Sequence, residues 1–146
     1  MFYMILSLHL IGAAIWTGGH IILALTVLPR ALAARDPGIL TRFEQGFERV
    51  GMPALLVQVA GGLWLAHDLE PDYGLWFSFS DALVTGIAVK LILLAVTVIF
   101  AINARFRVIP TLSADTLSIM AWHIRAVTVL SVLFVLTGAF LRTGGF

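Results

Sequence analysis

Four apolar stretches, each about as long as a bilayer is thick, constrain this chain more than any other feature. They cover about residues 2–28, 50–69, 82–102 and 117–141. Roughly 20 apolar residues in a helix cross a hydrocarbon core. In lipid, backbone N–H and C=O groups must be satisfied inside the segment, so each stretch is predicted to be a helix. Composition agrees: 60% of the residues are hydrophobic and 12% charged, and the mean hydropathy is +1.03. A water-soluble domain of 146 residues has too little interior to hide that much apolar surface. The sequence therefore predicts an all-α integral membrane protein, a single transmembrane domain over residues 1–146 folded as a four-helix bundle.

Several function classes drop out at once. The chain has no Cys, which removes disulfides, thiolate metal sites and thiol nucleophiles. A formal net charge of +1, without a basic stripe, argues against nucleic acid. The first stretch is a poor signal peptide, because no Lys or Arg precedes it and its apolar run is too long.

The connections carry the charge. Residues 29–49 hold Arg30, Arg35, Arg42 and Arg49, with the turn signal Asp36-Pro37-Gly38. Phe43, Phe47 and Val50 follow at helical spacing and predict an amphipathic entry into the second span, with a kink at Pro53. Residues 68–80 carry Asp68, Glu70 and Asp72, no Lys or Arg, and Tyr73, Trp76, Phe77 and Phe79, which suit an interfacial belt. Asp81 is placed to cap the third span. Residues 103–116 carry Arg105 and Arg107, and Arg125 can snorkel to the same side. Only Arg142 lies elsewhere. The positive-inside rule then puts both Arg-rich connections in the cytoplasm and both termini on the outer, periplasmic side of a bacterial inner membrane.

All four histidines, His9, His20, His67 and His123, fall inside or at the edge of spans. An ionisable residue inside a membrane is costly and raises a functional question by default; the plainer role is a hydrogen bond between helices. His9 and His20 are eleven residues apart, close to three whole turns, so they share one face of the first helix about 16 Å apart. By span direction, His20 and His123 lie in the inner half, and His9 and His67 on the outer side. These form two pairs, each drawn from two helices. That arrangement suits two bis-His haem b groups stacked across a bundle. Gly12, Gly18, Gly19, Gly61 and Gly62 near these residues allow close backbone approach, for a macrocycle or for ordinary helix packing.

Lys90, the sole Lys, falls midway along the third span. It reads as a counter-charge for a carboxylate such as a haem propionate, or as a snorkelling residue. Trp16, one turn from His20, stacks on a ring or simply packs. Trp64 is open to the same two readings, Trp76 and Trp122 read as interface anchors, and Asn103 reads as a helix-end residue. Met4 and Met120, close to His9 and His123, offer thioether and imidazole donors for copper, although Met is also ordinary apolar filler.

The segment Leu8-His9-Leu10-Ile11-Gly12-Ala13-Ala14-Ile15-Trp16-Thr17-Gly18-Gly19 resembles the first helix of the CopD family of bacterial membrane proteins linked to copper resistance. It also resembles the related HemJ-type protoporphyrinogen oxidases. Pro29-Arg30 looks like the Pro-Arg pair at the helix exit of the HemJ type, and Lys90 looks like its functional Lys. This resemblance implies His9 as a haem ligand and Lys90 as a substrate or propionate partner. The chain departs from the HemJ type at Ala31-Leu32-Ala33-Ala34-Arg35, at His20 and in the fourth helix.

The leading expectation is a membrane dihaem b-type cytochrome that transfers electrons, with haem ligands His9 and His67, and His20 and His123. Cofactor contacts are expected from Lys90 and Trp16. Its expected partners are the bilayer and a quinone, quinol or redox partner protein; an oligomer is compatible with the sequence. A copper-binding or copper-transport protein, a HemJ-like oxidase and a structural subunit whose His residues only tie helices together are the alternatives.

Overall fold

The computed structural model describes residues 1–143. It contains five α-helices, α1 (Phe2–Ile22), α2 (Leu28–Ala34), α3 (Pro37–Leu69), α4 (Ala82–Asn103) and α5 (Leu117–Thr143), and no strand among the described residues. A π-helical turn, Leu23–Val27, joins α1 to α2 into one rod. A second π-turn, Ala104–Val108, and a 3-10 turn, Ile109–Thr111, prolong α4. Four rods are therefore long and apolar enough to cross a membrane: Phe2–Ala34, Pro37–Leu69, Ala82–Thr111 and Leu117–Thr143. The expected four-helix membrane bundle is the observed architecture. The expected position of the C-terminus falls on residues 144–146, outside the described residues.

Both π-turns sit just ahead of a proline, Pro29 or Pro110. A proline ring inside a helix clashes with the carbonyl four residues back and withholds a donor from it. Widening the preceding turn relieves that clash and lets the rod continue. The first rod consequently runs past residue 28, where the apolar pattern ends, to Ala34. There Arg35 takes a left-handed conformation (φ 50°, ψ 33°) and closes the helix.

The Asp36-Pro37-Gly38 turn signal is a helix start. The Gly38 N–H donates to Asp36 Oδ1 at 2.8 Å, and Pro37 occupies the first helical position, where its missing N–H costs nothing. The amphipathic entry and the second span then form one helix, α3, continuous through Pro53.

Packing has a definite order. α1 lies along α3 and along α5, and α4 lies along α5; α3 and α4 do not run packed along each other among the described residues. The most fully buried apolar cluster sits at the Arg-rich end, where Leu23, Leu28, Ala31, Leu40, Val108, Leu117, Met120 and Ile124 meet. Elsewhere the helices touch through small residues. A Cβ on Gly12 would lie 2.7 Å from the Ala54 carbonyl oxygen of α3, and a Cβ on Gly19 would overlap the Phe47 ring. On the α5 side, Thr17 Oγ1 donates to the Ser131 carbonyl at 3.4 Å, and Thr128 Oγ1 to the His20 carbonyl at 3.1 Å.

At the acidic end the chain between α3 and α4 folds on itself. Trp76 is buried, and its Nε1–H donates to the Glu70 carbonyl at 2.8 Å, so it anchors the loop internally; Tyr73, Phe77 and Phe79 stay exposed. Asp81 caps α4 as expected, accepting from the Val84 N–H at 3.0 Å and from the Ser80 hydroxyl at 3.1 Å. The Val84 N–H, with help from Ser80, holds the Asp81 carboxyl below its ordinary pKa.

Two outcomes follow from this packing. Gly12→Ala is expected to lower the thermal midpoint of the detergent-solubilised protein, by about 1–3 kcal/mol of overpacking. Gly18→Ala, where a Cβ meets nothing within 4 Å, is expected to leave it unchanged. The depressed pKa of Asp81 means that its capping contribution is present above the carboxylate's unfolded pKa of about 3.9 and is lost as pH falls through the lower folded value. A pH titration of the melting midpoint should therefore show wild type and Asp81→Asn converging at the acid end and separating above it.

Candidate functional site

The α1–α3 seam holds two of the histidines in a chemically defined state. His9 crosses the seam, with Nδ1 2.7 Å from the Gln58 carbonyl oxygen. A carbonyl only accepts, so Nδ1 carries the proton and Nε2 keeps its lone pair. The ring lies against α3 where no side chain intervenes: a Cβ on Gly62 would be 2.9 Å from His9 Cε1, and one on Gly61 3.3 Å from His9 Cβ. His20 is fixed within its own helix, Nδ1 donating to the Trp16 carbonyl at 2.9 Å, which leaves its Nε2 in the same state. Neither Nε2 has a hydrogen-bond partner among the described residues.

Aromatic rings wall His20. Trp16 lies 4.4 Å from it, centroid to centroid, and Phe47 of α3 meets it edge-on at 6.0 Å. Trp16 thus packs on the His20 ring, as one of the two sequence readings held.

The other two histidines are engaged elsewhere. His67 is exposed at the end of α3 and stacks flat on Tyr73, at 5.1 Å and 7°. His123 donates from Nδ1 to the Ile119 carbonyl at 3.0 Å, and its Nε2 lies 2.9 Å from the Asn103 side-chain amide on α4. The Asn103 atom that faces Nε2 is Oδ1. No hydrogen bond or ring contact joins His9 to His67 or His20 to His123 among the described residues. Directions explain this. His20 faces α3 whereas His123 faces α4, and the His67 ring is held by the loop rather than by α1.

Two further polar residues lie within the bundle. Lys90 reaches from α4 to α5, its Nζ 3.2 Å from where a Cβ on Gly138 would be. It has no ion pair or hydrogen bond among the described residues, and it faces the bundle rather than snorkelling into lipid. Gln58 is 8% exposed, and its Oε1 is buried without a hydrogen-bond partner. Sequence reasoning passed over Gln58, although a lone amide inside an apolar span was the available signal. It also placed Asn103 correctly at a helix end without pairing it with His123.

The methionines offered for copper lie apart in character. Met120 is 3% exposed within the apolar cluster at the Arg-rich end, and Met4 is 61% exposed. Among the described residues no three of His, Asp, Glu or Cys come together as a metal-binding group.

No family model matches the chain, and no curated protein or solved structure matches it.

A buried amide oxygen without a donor costs about 1–3 kcal/mol, and an apolar group of the same shape removes that cost. Gln58→Met is therefore expected to raise the melting midpoint of the cofactor-free protein. A fall would mean that the unpartnered oxygen carries no such cost.

Proposed function

We propose that this protein is a b-type haem-binding redox protein of the membrane, a dihaem cytochrome with one haem ligated by His9 and a second by His20. One observation carries the reading. Two imidazoles about three turns apart on one helix both anchor Nδ1 on a backbone carbonyl and leave Nε2 as a free lone pair. Haem- and metal-ligating histidines are commonly oriented in this way, because the anchored N–H fixes the tautomer and turns the other nitrogen to the iron. Bound haem supplies one-electron chemistry. The chain's contribution is to orient the ligands, to exclude water and to neutralise charge, and Lys90, half-buried and without an ion pair among the described residues, suits a haem propionate.

The residues fit the group on the α1 side. His67 and His123 are the proposed second axial ligands, each released from its present neighbour, Tyr73 or Asn103. Electrons would then pass from a quinol, oxidised to the quinone with release of its protons, between the two levels to a partner protein.

The half-buried Lys90 on α4 favours a second reading, a HemJ-like oxidase of porphyrinogens with haem on His9 and the acid group of the substrate on Lys90. Lys90→Ala would then abolish porphyrinogen oxidation and leave the haem spectrum intact.

The deciding measurement is an optical spectrum of the detergent-purified protein, oxidised and dithionite-reduced, with haem quantified per chain. Two low-spin b haems per chain are expected. His9→Ala and His20→Ala should each remove about one of them, and His67→Ala and His123→Ala should each mimic the variant of its proposed mate. One haem, retained in His20→Ala and lost in His9→Ala, would favour the oxidase. No haem after expression with haem precursor would overturn the proposal.

A further inference from the structure

Away from the histidine seam, the α4–α5 face carries a groove of about 300 Å³ lined by Val96 and Phe100 on one side and by Trp122, Arg125, Val129 and Leu130 on the other. Its walls are wholly apolar, and Arg125 lines it through its aliphatic stem. Arg125 is exposed, about 12 Å along α5 from Leu117, and has no ion pair or hydrogen bond among the described residues. Arg105 and Arg107, also exposed, lie near it at the same end, on the turn that follows α4.

A bare guanidinium on a lipid-facing helix surface is costly unless it snorkels to a partner of opposite charge. The described residues supply none. Arg35 and Arg42, by contrast, have Asp115 and Asp36 within 3.2 and 3.5 Å. The geometry around Arg125 is directional. Pairing of His123 with Asn103 sets the register of the two antiparallel helices, so Val129, Leu130 and Val96 lie farther from the Arg-rich end than Arg125 does. The groove therefore leads from a cation near the interface toward the bilayer centre. That is the layout of a single phospholipid, with phosphate at the mouth and an acyl chain along the floor. Arg pairs with phosphate through two parallel hydrogen bonds, and the exposed Trp122 beside it suits the headgroup level.

We infer that the α4–α5 groove is a binding site for an acidic phospholipid, its phosphate held by Arg125 and one acyl chain lying along Val96, Phe100, Val129 and Leu130. Net negative headgroups are preferred because Arg105 and Arg107 add to the local field and no carboxylate lines the groove.

The test uses the full chain, delipidated in detergent and titrated with phosphatidylglycerol or phosphatidylcholine, read by melting midpoint and by native mass spectrometry. Phosphatidylglycerol is expected to raise the midpoint by several degrees and to remain bound at one per chain, with phosphatidylcholine at least tenfold weaker. Arg125→Gln should abolish the preference, and Ala126→Phe, which fills the groove and keeps the cation, should abolish retention. Arg125→Lys, which keeps the charge, should retain the preference at reduced affinity, and it serves where Arg125→Gln does not fold. Equal response to both lipids, full retention by Arg125→Gln, or the same shift with soluble glycerophosphate would overturn the inference.

Discussion

Close approach of α1 to α3 is the contact on which the rest depends. In lipid no hydrophobic force drives two apolar helices together, so association rests on tight van der Waals contact and on interhelical hydrogen bonds. Gly12 lets α1 settle on the Ala54 and Gln58 backbone, and Gly19 accepts the Phe47 ring. The His9 hydrogen bond to the Gln58 carbonyl exists only because Gly61 and Gly62 leave the surface of α3 bare at that point. The same glycines that bring the helices together also fix the tautomer of His9. At Gly12, Gly19, Gly61 and Gly62 the reading the structure shows is helix packing.

The fold was legible because lipid leaves few options. An apolar run of bilayer length must be a helix, and four of them in 146 residues leave little chain for anything else. Helix ends were harder to read. Apolar patterning stops near residue 28 and near residue 102, yet both rods continue, since helices extend into the headgroup region with polar residues and a π-turn absorbs each proline. Pro29 and the Asp-Pro-Gly signal were both read as breaks. Only the second marks one, and it does so by starting a helix rather than by making a loop.

The site was legible in part. That His9 and His20 share a face of α1 follows from eleven-residue spacing alone, and both do face α3. Depth matching between helices was less informative, because depth is one coordinate and direction around the helix axis is another. His123 lies within reach of the His20 level, with Thr128 bonded to the His20 carbonyl, but its ring turns to Asn103. Spacing along one helix cannot report that turn, since it depends on which neighbour fills the next groove.

The polar residues of the bundle divide by how they are satisfied. Thr97, Thr128, Ser131 and Thr137 return their hydroxyls to carbonyls three or four residues back, at little cost, and need no partner from outside. Lys90, Gln58 Oε1 and the Nε2 atoms of His9 and His20 have no such recourse. Each costs free energy in a medium without water to compensate it. They are buried or half-buried, whereas Arg125 is exposed on the α4–α5 face. Polar groups that the described helices leave without a partner thus fall both inside the bundle and on its outer surface.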